Sequence, residues 1–366
     1  MIWKADHSKA KQSDHWLVLA IMLLATFGLI MLTSTSSIAA YQTYKDGYYF
    51  FKHQAIHLLI GGFLFWLLTR FDYRRLQALA LPIFVASLLM LLLVFIPGLA
   101  SGARAHSWIN IFGFSLQPSE FVKLGFLIYL SALFATEGGA KTKTKAFAMS
   151  YGLIAMLMAL QPDLGTLIII TAIALALYFI NGGSIKKIGA FIVFCALALS
   201  LFLAVKEYQR DRFRCFLNPQ FSAGDKCYQI NQSLIAVGSG GVIGRGLGNS
   251  RQKFLYLPEV QNDFIFSVIA EEVGFVFSGL LIFLYVFIFT RGQTIAKTIG
   301  EPFGKNLAIG IVTWLMVQTI VNIGGAINFI PMTGVPLPLV SYGGTAIIAV
   351  LASLGILVNI SRRVKT

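Results

Sequence analysis

Four carboxylates fall within fourteen positions of a chain that holds 15 acidic residues in 366: Glu259, Asp263, Glu271 and Glu272, in the stretch LPEVQNDFIFSVIAEEVGF at 257–275. A carboxylate at the edge of an apolar segment can take a proton from a hydroxyl and act as a general base. Asn262 or Asp263 is also a natural helix start, because a side-chain oxygen there accepts free backbone N–H groups. The helix dipole favours a negative charge at that end, which keeps Asp263 ionised, as a base or as a plain cap. Glu271 and Glu272 fall inside the apolar run, where a carboxylate is costly unless paired, protonated or facing a wet cavity. On a continuous helix Glu271 lies about 80° round from Asp263 and roughly 12 Å deeper, so it is expected to line the same cavity. Glu272 points to the opposite face and is expected to pair with another helix.

The cationic counterpart is Lys123 in QPSEFVKL, the one lysine or arginine placed inside an apolar run. It follows Glu120 by three residues, so the two share a helix face. An intramembrane lysine is a functional candidate, with an ion pair to Glu120, Asp163 or Glu271 as its structural alternative. Gln117 opens the same segment. Asp163 in QPDLG precedes another apolar run and reads both as a cap and as a site residue. Ser341 and Tyr342 in PLPLVSYGG stand at the entry to the last run. Arg210, Arg212, Arg214, Arg245, Arg251 and Lys253 make the segment around Asp263 strongly cationic. Cations beside one carboxylate suit a hydroxyl nucleophile and a phosphate leaving group; contact with anionic lipid headgroups is the other reading. The run GSGGVIGRGLG lacks the lysine and serine spacing of a nucleotide-binding loop. Its glycines are expected to let backbone approach a ligand or a membrane surface, and QSLIAV before it to form a short interfacial helix.

The elements that must position these residues are membrane spans. The chain is 57% hydrophobic and 12% charged, against about 25% charged in an ordinary soluble domain. Apolar runs of roughly twenty residues, each long enough to cross a bilayer, recur near 16–36, 54–69, 78–96, 117–136, 146–161, 164–180, 188–205, 264–290, 307–329 and 342–361. This predicts an all-α polytopic membrane protein of about ten transmembrane helices, a single membrane domain over 1–366. One large extracytoplasmic loop, 206–262, lies between the seventh and eighth spans. The first run reads as a retained helix, not a cleaved signal. With the N-terminus inside, 17 of the 29 lysines and arginines fall on the inner side and three in the short outer loops. This bias places both termini in the cytoplasm, and it explains the net charge of +14 without nucleic acid. Gln117, Asp163, Asp263 and Ser341, far apart in sequence, then all fall at the outer face.

Cys215 and Cys227 flank FLNPQFSAGDK in the outer loop, where a disulfide is possible and would close a short loop worth about 3 kcal/mol in the chain-entropy model. Cys195 reads as packing. No His, Cys and carboxylate spacing reads as a zinc site. His53 and His57 stand four apart near the outer end of the second span with no acidic third ligand adjoining them. No cofactor is identified.

The motifs SGAR, LQPSEFVKL, QPDLGT, FLNP, YQINQSLIAVGSGG, GRGLGNSRQKFLYLPE, NDFIF, IAEEVGF and PLPLVSYGG, in this order and on this span pattern, resemble the SEDS proteins, the shape, elongation, division and sporulation membrane glycosyltransferases. The resemblance covers nearly the whole chain. The GLGNSRQKFLYLPE stretch is closer to the division member than to the elongation member. The resemblance implies a peptidoglycan polymerase that uses lipid II. It implies that Asp263 is the essential acidic residue, that Lys123 is the lysine of the QPSE motif, and that Gln117, Glu120, Asp163 and the SYGG segment belong to family motifs. It also implies a class B penicillin-binding transpeptidase as partner, since this chain carries no such domain, among other division proteins of the inner membrane. One departure is visible: GARAHSWIN places His106 and Ser107 before the tryptophan, which leaves the role of Arg104 open. From the residues alone, a lipid II flippase is the alternative from another class. A flippase needs polar residues reachable from both sides and commonly carries inverted repeats, and neither is evident. A scaffold without activity would have no need of Lys123 and Glu271 in the membrane.

Overall fold

The computed structural model describes residues 13–96, 100–101, 107–111, 114–205, 207–222 and 224–364; Arg104 and His106 lie outside them. The helices are α1 (His15–Tyr44), α2 (Tyr49–Arg70), the single turn α3 (Arg75–Ala78), α4 (Ala80–Leu92), α5 (Pro118–Ala135), α6 (Ala140–Leu160), α7 (Leu164–Ile180), α8 (Ile185–Val205), α9 (Glu207–Leu217), α10 (Tyr228–Ser239), α11 (Ile265–Thr298), α12 (Pro302–Ala326) and α13 (Gly344–Ser361). A helix lies in each of the ten segments expected from hydropathy. Among the described residues six helices, α1, α2, α5, α11, α12 and α13, are long and apolar enough to cross a membrane, and α4 and α7 are shorter apolar helices.

The centre is α13, buried along nearly all its length, with α5 and α12 packed against it. α2 covers α13 on one side and turns Leu59, Phe63 and Trp66 outward. The approach is close because Gly355 lies against the backbone of Phe65; small residues let helix backbones near one another in a bilayer, where packing drives association. The start of α1 and the ends of α11 and α13 meet at one end of the bundle. Asp14 bonds Arg291 there at 2.6 Å, and its N–H donates to Ser361 Oγ at 3.2 Å. Arg74–Glu301 (3.0 Å) and Arg363–Asp72 (2.9 Å) tie the α2–α3 connection to the α11–α12 connection and to the end of α13.

At the other end the loops carry structure that hydropathy does not foretell. Strands β1 (Ala100–Ser101), β2 (Trp108–Ile111) and β3 (Phe114–Leu116) form a small antiparallel sheet, with Ile109 opposite Leu116. The 206–262 loop contains α9, a Cys215–Cys227 disulfide and α10. α10 covers the QSLIAV stretch expected to be a short helix. It packs on α11, with buried Ser233 against Ser267 Oγ (2.6 Å) and the Ala326 carbonyl (2.6 Å).

The largest departure is in α11. Its helix breaks at Gly274, whose φ of 75° and ψ of −174° fall in a region essentially restricted to glycine. In an unbroken helix the N–H groups of Phe275 and Val276 would bond the carbonyls of Glu271 and Glu272. Here the glycine run supplies all four partners. Arg245 and Gly246 donate to the Glu271 and Glu272 carbonyls (3.0 and 2.9 Å), and Gly241 and Val242 accept from Phe275 and Val276 (2.9 and 3.1 Å). Gly240 and Gly244 touch the backbone of residues 270–273, where a Cβ has no room. The glycines therefore permit approach to a broken helix, in place of the expected ligand or membrane surface. Buried backbone polar groups must be paired, and in lipid that requirement is strict.

Candidate active site

Asp263 stands two residues before α11 on a segment fixed by buried side chains of α2, α12 and the stretch before α13. Asn322 of α12 donates to the Asp263 carbonyl (3.0 Å) and to the Val335 carbonyl (2.8 Å). Ser341 Oγ donates to the Asn262 carbonyl (2.6 Å), the Tyr342 N–H donates to the Gln261 carbonyl (2.8 Å), and Gln54 of α2 holds the Ser341 carbonyl (3.0 Å). Segments 261–263 and 334–343 are thus bonded to each other and to α2 and α12. Asp263 does not cap α11: the cap residue is Phe264, with no side-chain bond.

Freed from capping, Asp263 lines a cavity of about 400 Å³ with Tyr49, His53, His57, Gln117 and Tyr342. Trp108, Gln117 and Gly334 also border a second compartment of about 570 Å³ that contains Asp163 and Arg212. Gly334 (φ 79°) is the partition. A Cβ there would stand 3.4 Å from Asp263 Oδ2 and 3.8 Å from Arg212 Nη1, so glycine leaves the space between carboxylate and guanidinium open. Burial pushes the Asp263 carboxyl up to about 6; Arg212 opposes the shift and Glu259 adds to it. The group is ionised at neutral pH yet basic enough to take a proton.

Gln117, Asp163, Asp263 and Tyr342 therefore border these two joined compartments, and Ser341 supports them from behind. Gln117 Nε2 lies 3.4 Å from Asp163 Oδ2, and Ser119 Oγ donates to the same oxygen (3.2 Å). Asp163 also caps α7 through the Thr166 N–H (3.1 Å). Lys123 and Glu120 are elsewhere. Both are buried, paired at 2.8 Å in the bundle core, with Lys123 Nζ also 2.9 Å from Gln318 Oε1 and 4.9 Å from the centre of the Trp314 ring. Gln318 in turn donates to the Pro336 carbonyl (2.9 Å), and Pro336 borders the Asp263 cavity. Lys123 reaches the site through one relay and not by contact.

Glu271 does not share the Asp263 cavity. It accepts from Ser250 Oγ (2.6 Å) and the Arg251 N–H (3.1 Å) and faces Arg245 (3.4 Å). Loop residues 250–252 close over the face of α11 that helical phase assigns to the Asp263 cavity. Glu272 pairs with Lys253 (3.0 Å) and accepts from Ser34 of α1 (2.8 Å), which spends the Lys253 charge inside the protein. Arg210 lies 4.0 Å from Glu207 on its own helix, and Arg245 and Arg251 line a separate cavity. Of the six outer cations Arg212 is the one whose charge acts on Asp263, across Gly334, while its Nη1 donates to the Met332 carbonyl (3.2 Å). Sequence reasoning also passed over Gln54, Gln318 and Asn322, whose signal was an amide side chain within an apolar run. Among the described residues no group of three or more His, Cys, Asp or Glu could hold a metal ion.

Helices of membrane-crossing length around a buried centre, with a carboxylate and a guanidinium in two adjoining compartments, define a multi-pass membrane protein with an enzyme-like site at one end of the bundle. The chain belongs to the FtsW/RodA/SpoVE family of cell cycle proteins, whose family model matches residues 14–366. It is 36% identical to the probable peptidoglycan glycosyltransferase FtsW of Geobacter metallireducens over 99% of this chain and 98% of that one. It is 38% identical to that of Bacillus subtilis, over 97% and 92%. Its fold matches a chain of a peptidoglycan synthase complex that coordinates polymerization and crosslinking (TM-score 0.79, 28% identity, 98% of each chain). It also matches the rod shape determining protein RodA of Thermus thermophilus (TM-score 0.72, 27% identity, 97% and 98%).

Proposed function

We propose that this protein polymerises lipid II into glycan strands at the outer face of the cytoplasmic membrane, as a peptidoglycan glycosyltransferase of septal wall synthesis. The observation that carries the reading is Asp263 and Arg212 facing one another across Gly334. Asp263 takes the proton of the acceptor sugar hydroxyl. The oxygen attacks the anomeric carbon of the donor, and the bond from that carbon to the pyrophosphate oxygen breaks. The lipid pyrophosphate leaves with the electron pair. Arg212, in the adjoining compartment, stabilises its growing charge, as preorganised cations do for leaving phosphates. Gln117, Asp163 and Tyr342 bind the sugars, and Lys123 with Glu120 positions the Pro336 rim through Gln318.

The partner is a class B penicillin-binding transpeptidase, in company with other division proteins. Both termini are cytoplasmic, a reading supported by Asp14 before α1 meeting Ser361 at the end of α13, remote from Asp263.

The test is polymerisation of purified lipid II in detergent, with and without a cognate class B transpeptidase. Asp263→Asn is expected to lose at least about 10²-fold in rate, the low end of general-base contributions. Equal strands from the variant would overturn the assignment of Asp263. No strands from wild type, together with lipid II crossing vesicle membranes, would replace polymerase by flippase.

A further inference from the structure

A cavity of about 700 Å³ lies between α10 and the loop that follows it, and shares no lining residue with either compartment of the Asp263 site. Its floor is Glu271, whose charge is met by Arg245, Ser250 and backbone N–H groups. Two groups there are left over. The Arg251 side chain is exposed and has no hydrogen-bond or ion-pair partner among the described residues. Gln252 is 7% exposed, and its Oε1 has no hydrogen-bond partner. A buried amide oxygen without a partner calls for one. The aromatic rings of Phe254 and Tyr256, 57% and 56% exposed, complete the walls.

We infer that this cavity binds the phosphate of a membrane lipid whose headgroup carries hydroxyl groups. Arg251, assisted by Arg245, takes the phosphate; guanidinium is suited to that anion by its planar fork of donors. A headgroup hydroxyl supplies the partner that the Gln252 amide lacks. Phe254 and Tyr256 offer exposed apolar faces of the kind aromatic side chains present to a membrane interface. The lipid's chains also have a surface to follow. The glycine run exposes Val242 and Ile243, and its backbone bonds hold it against Phe275 and Val276, which are exposed on α11. A free phosphate would use the arginine and leave the apolar rim and the amide unused. Two lipids share the required chemistry, phosphatidylglycerol and a lipid-linked sugar phosphate such as lipid II. The second choice alone rests on the polymerase reading.

Native mass spectrometry of the full chain in detergent tests the site, with phosphatidylglycerol, phosphatidylcholine and lipid II as probes. Wild type, Arg251→Gln, Gln252→Ala and Asp263→Asn are compared. The Arg251 side chain is exposed, so its variant is expected to keep the wild-type melting temperature, and Gln252→Ala gives a second readout that leaves both arginines in place. Arg251→Gln and Gln252→Ala are expected to weaken phosphatidylglycerol about tenfold or more, while Asp263→Asn binds it as wild type does and phosphatidylcholine binds weakly throughout. The same loss seen for lipid II and not for phosphatidylglycerol assigns the site to the lipid-linked sugar. Wild-type affinity of both variants for both lipids, or phosphatidylcholine binding as tight as phosphatidylglycerol, overturns the proposal. None of these outcomes depends on whether strands are made.

Discussion

At the scale of the residue, Asp263 was legible because acid is so scarce in this chain. What the sequence concealed was its environment. A capping carboxylate would be held low, whereas burial beside the cavity pushes Asp263 up to about 6. The catalytic form is the carboxylate, so kcat/KM is expected to fall about tenfold per pH unit below pH 6 and to level off above it, unless a second group titrates. Polymerisation rates between pH 4.5 and 8 check this. The stability effect has the opposite sense. The folded-state value lies above the unfolded 3.8, so the fold binds more protons, and the stability this contributes is lost as pH rises from about 4 through 6. Neutral Asp263→Asn should therefore keep or raise the melting temperature at pH 7 while activity is lost. Lys123 is the reverse case. Its spacing from Glu120 announced the pair, but not that the bundle core would enclose both. Removing one partner of a buried ion pair costs about 3–5 kcal/mol. Lys123→Ala is expected to lower thermal stability by that order, measured by unfolding in detergent. A Lys123→Ala protein as stable as wild type but inactive would return the lysine to the chemistry.

At the scale of the element, periodicity located the helices and missed the interruption. Nothing in IAEEVGF distinguishes a glycine inside a helix from one at a break. The partner of the break is some thirty residues upstream, beyond any local signal. Misplacing Glu271 followed from that, since loop residues cover the face that helical phase assigned to the cavity. Gly274→Ala puts a Cβ where the backbone of Ile243 and Gly244 already lies and forces a backbone conformation costing of order 1–3 kcal/mol. It is expected to lower both melting temperature and polymerisation. Gly279→Ala, on the same helix with nothing within 4 Å of its Cβ position, is the control and should match or exceed wild-type stability by up to about 1 kcal/mol.

At the scale of the whole molecule, hydropathy carried most of the architecture, because a bilayer leaves few choices for a polar group. The small sheet and the packing of α10 were not legible, since short strands and a loop helix are selected by tertiary contacts more than by local composition. The meeting of α1, α11 and α13 at Asp14, Arg291 and Ser361 puts the start of α1 and the end of α13 at the same end of the bundle. Epitope tags at Met1 and Thr366 are expected to resist protease added outside intact spheroplasts and to be cut after lysis. Cleavage of one tag alone in intact spheroplasts would contradict the shared side.

The join between the glycine run and α11 also sets where this chain tolerates added length. A polar, glycine-rich outer loop is ordinarily where insertions are absorbed, because each doubling of a flexible loop costs only about 0.6 kcal/mol. Here residues 241–246 occupy rungs of a membrane helix, and one extra residue would shift four backbone bonds out of step. Gly224, with no atom within 4 Å of its Cβ position, stands in a local turn bonded to Ser222 and not to a membrane helix. Length variation within this loop should therefore gather near Gly224 and be absent from the glycine run, the reverse of what composition alone suggests.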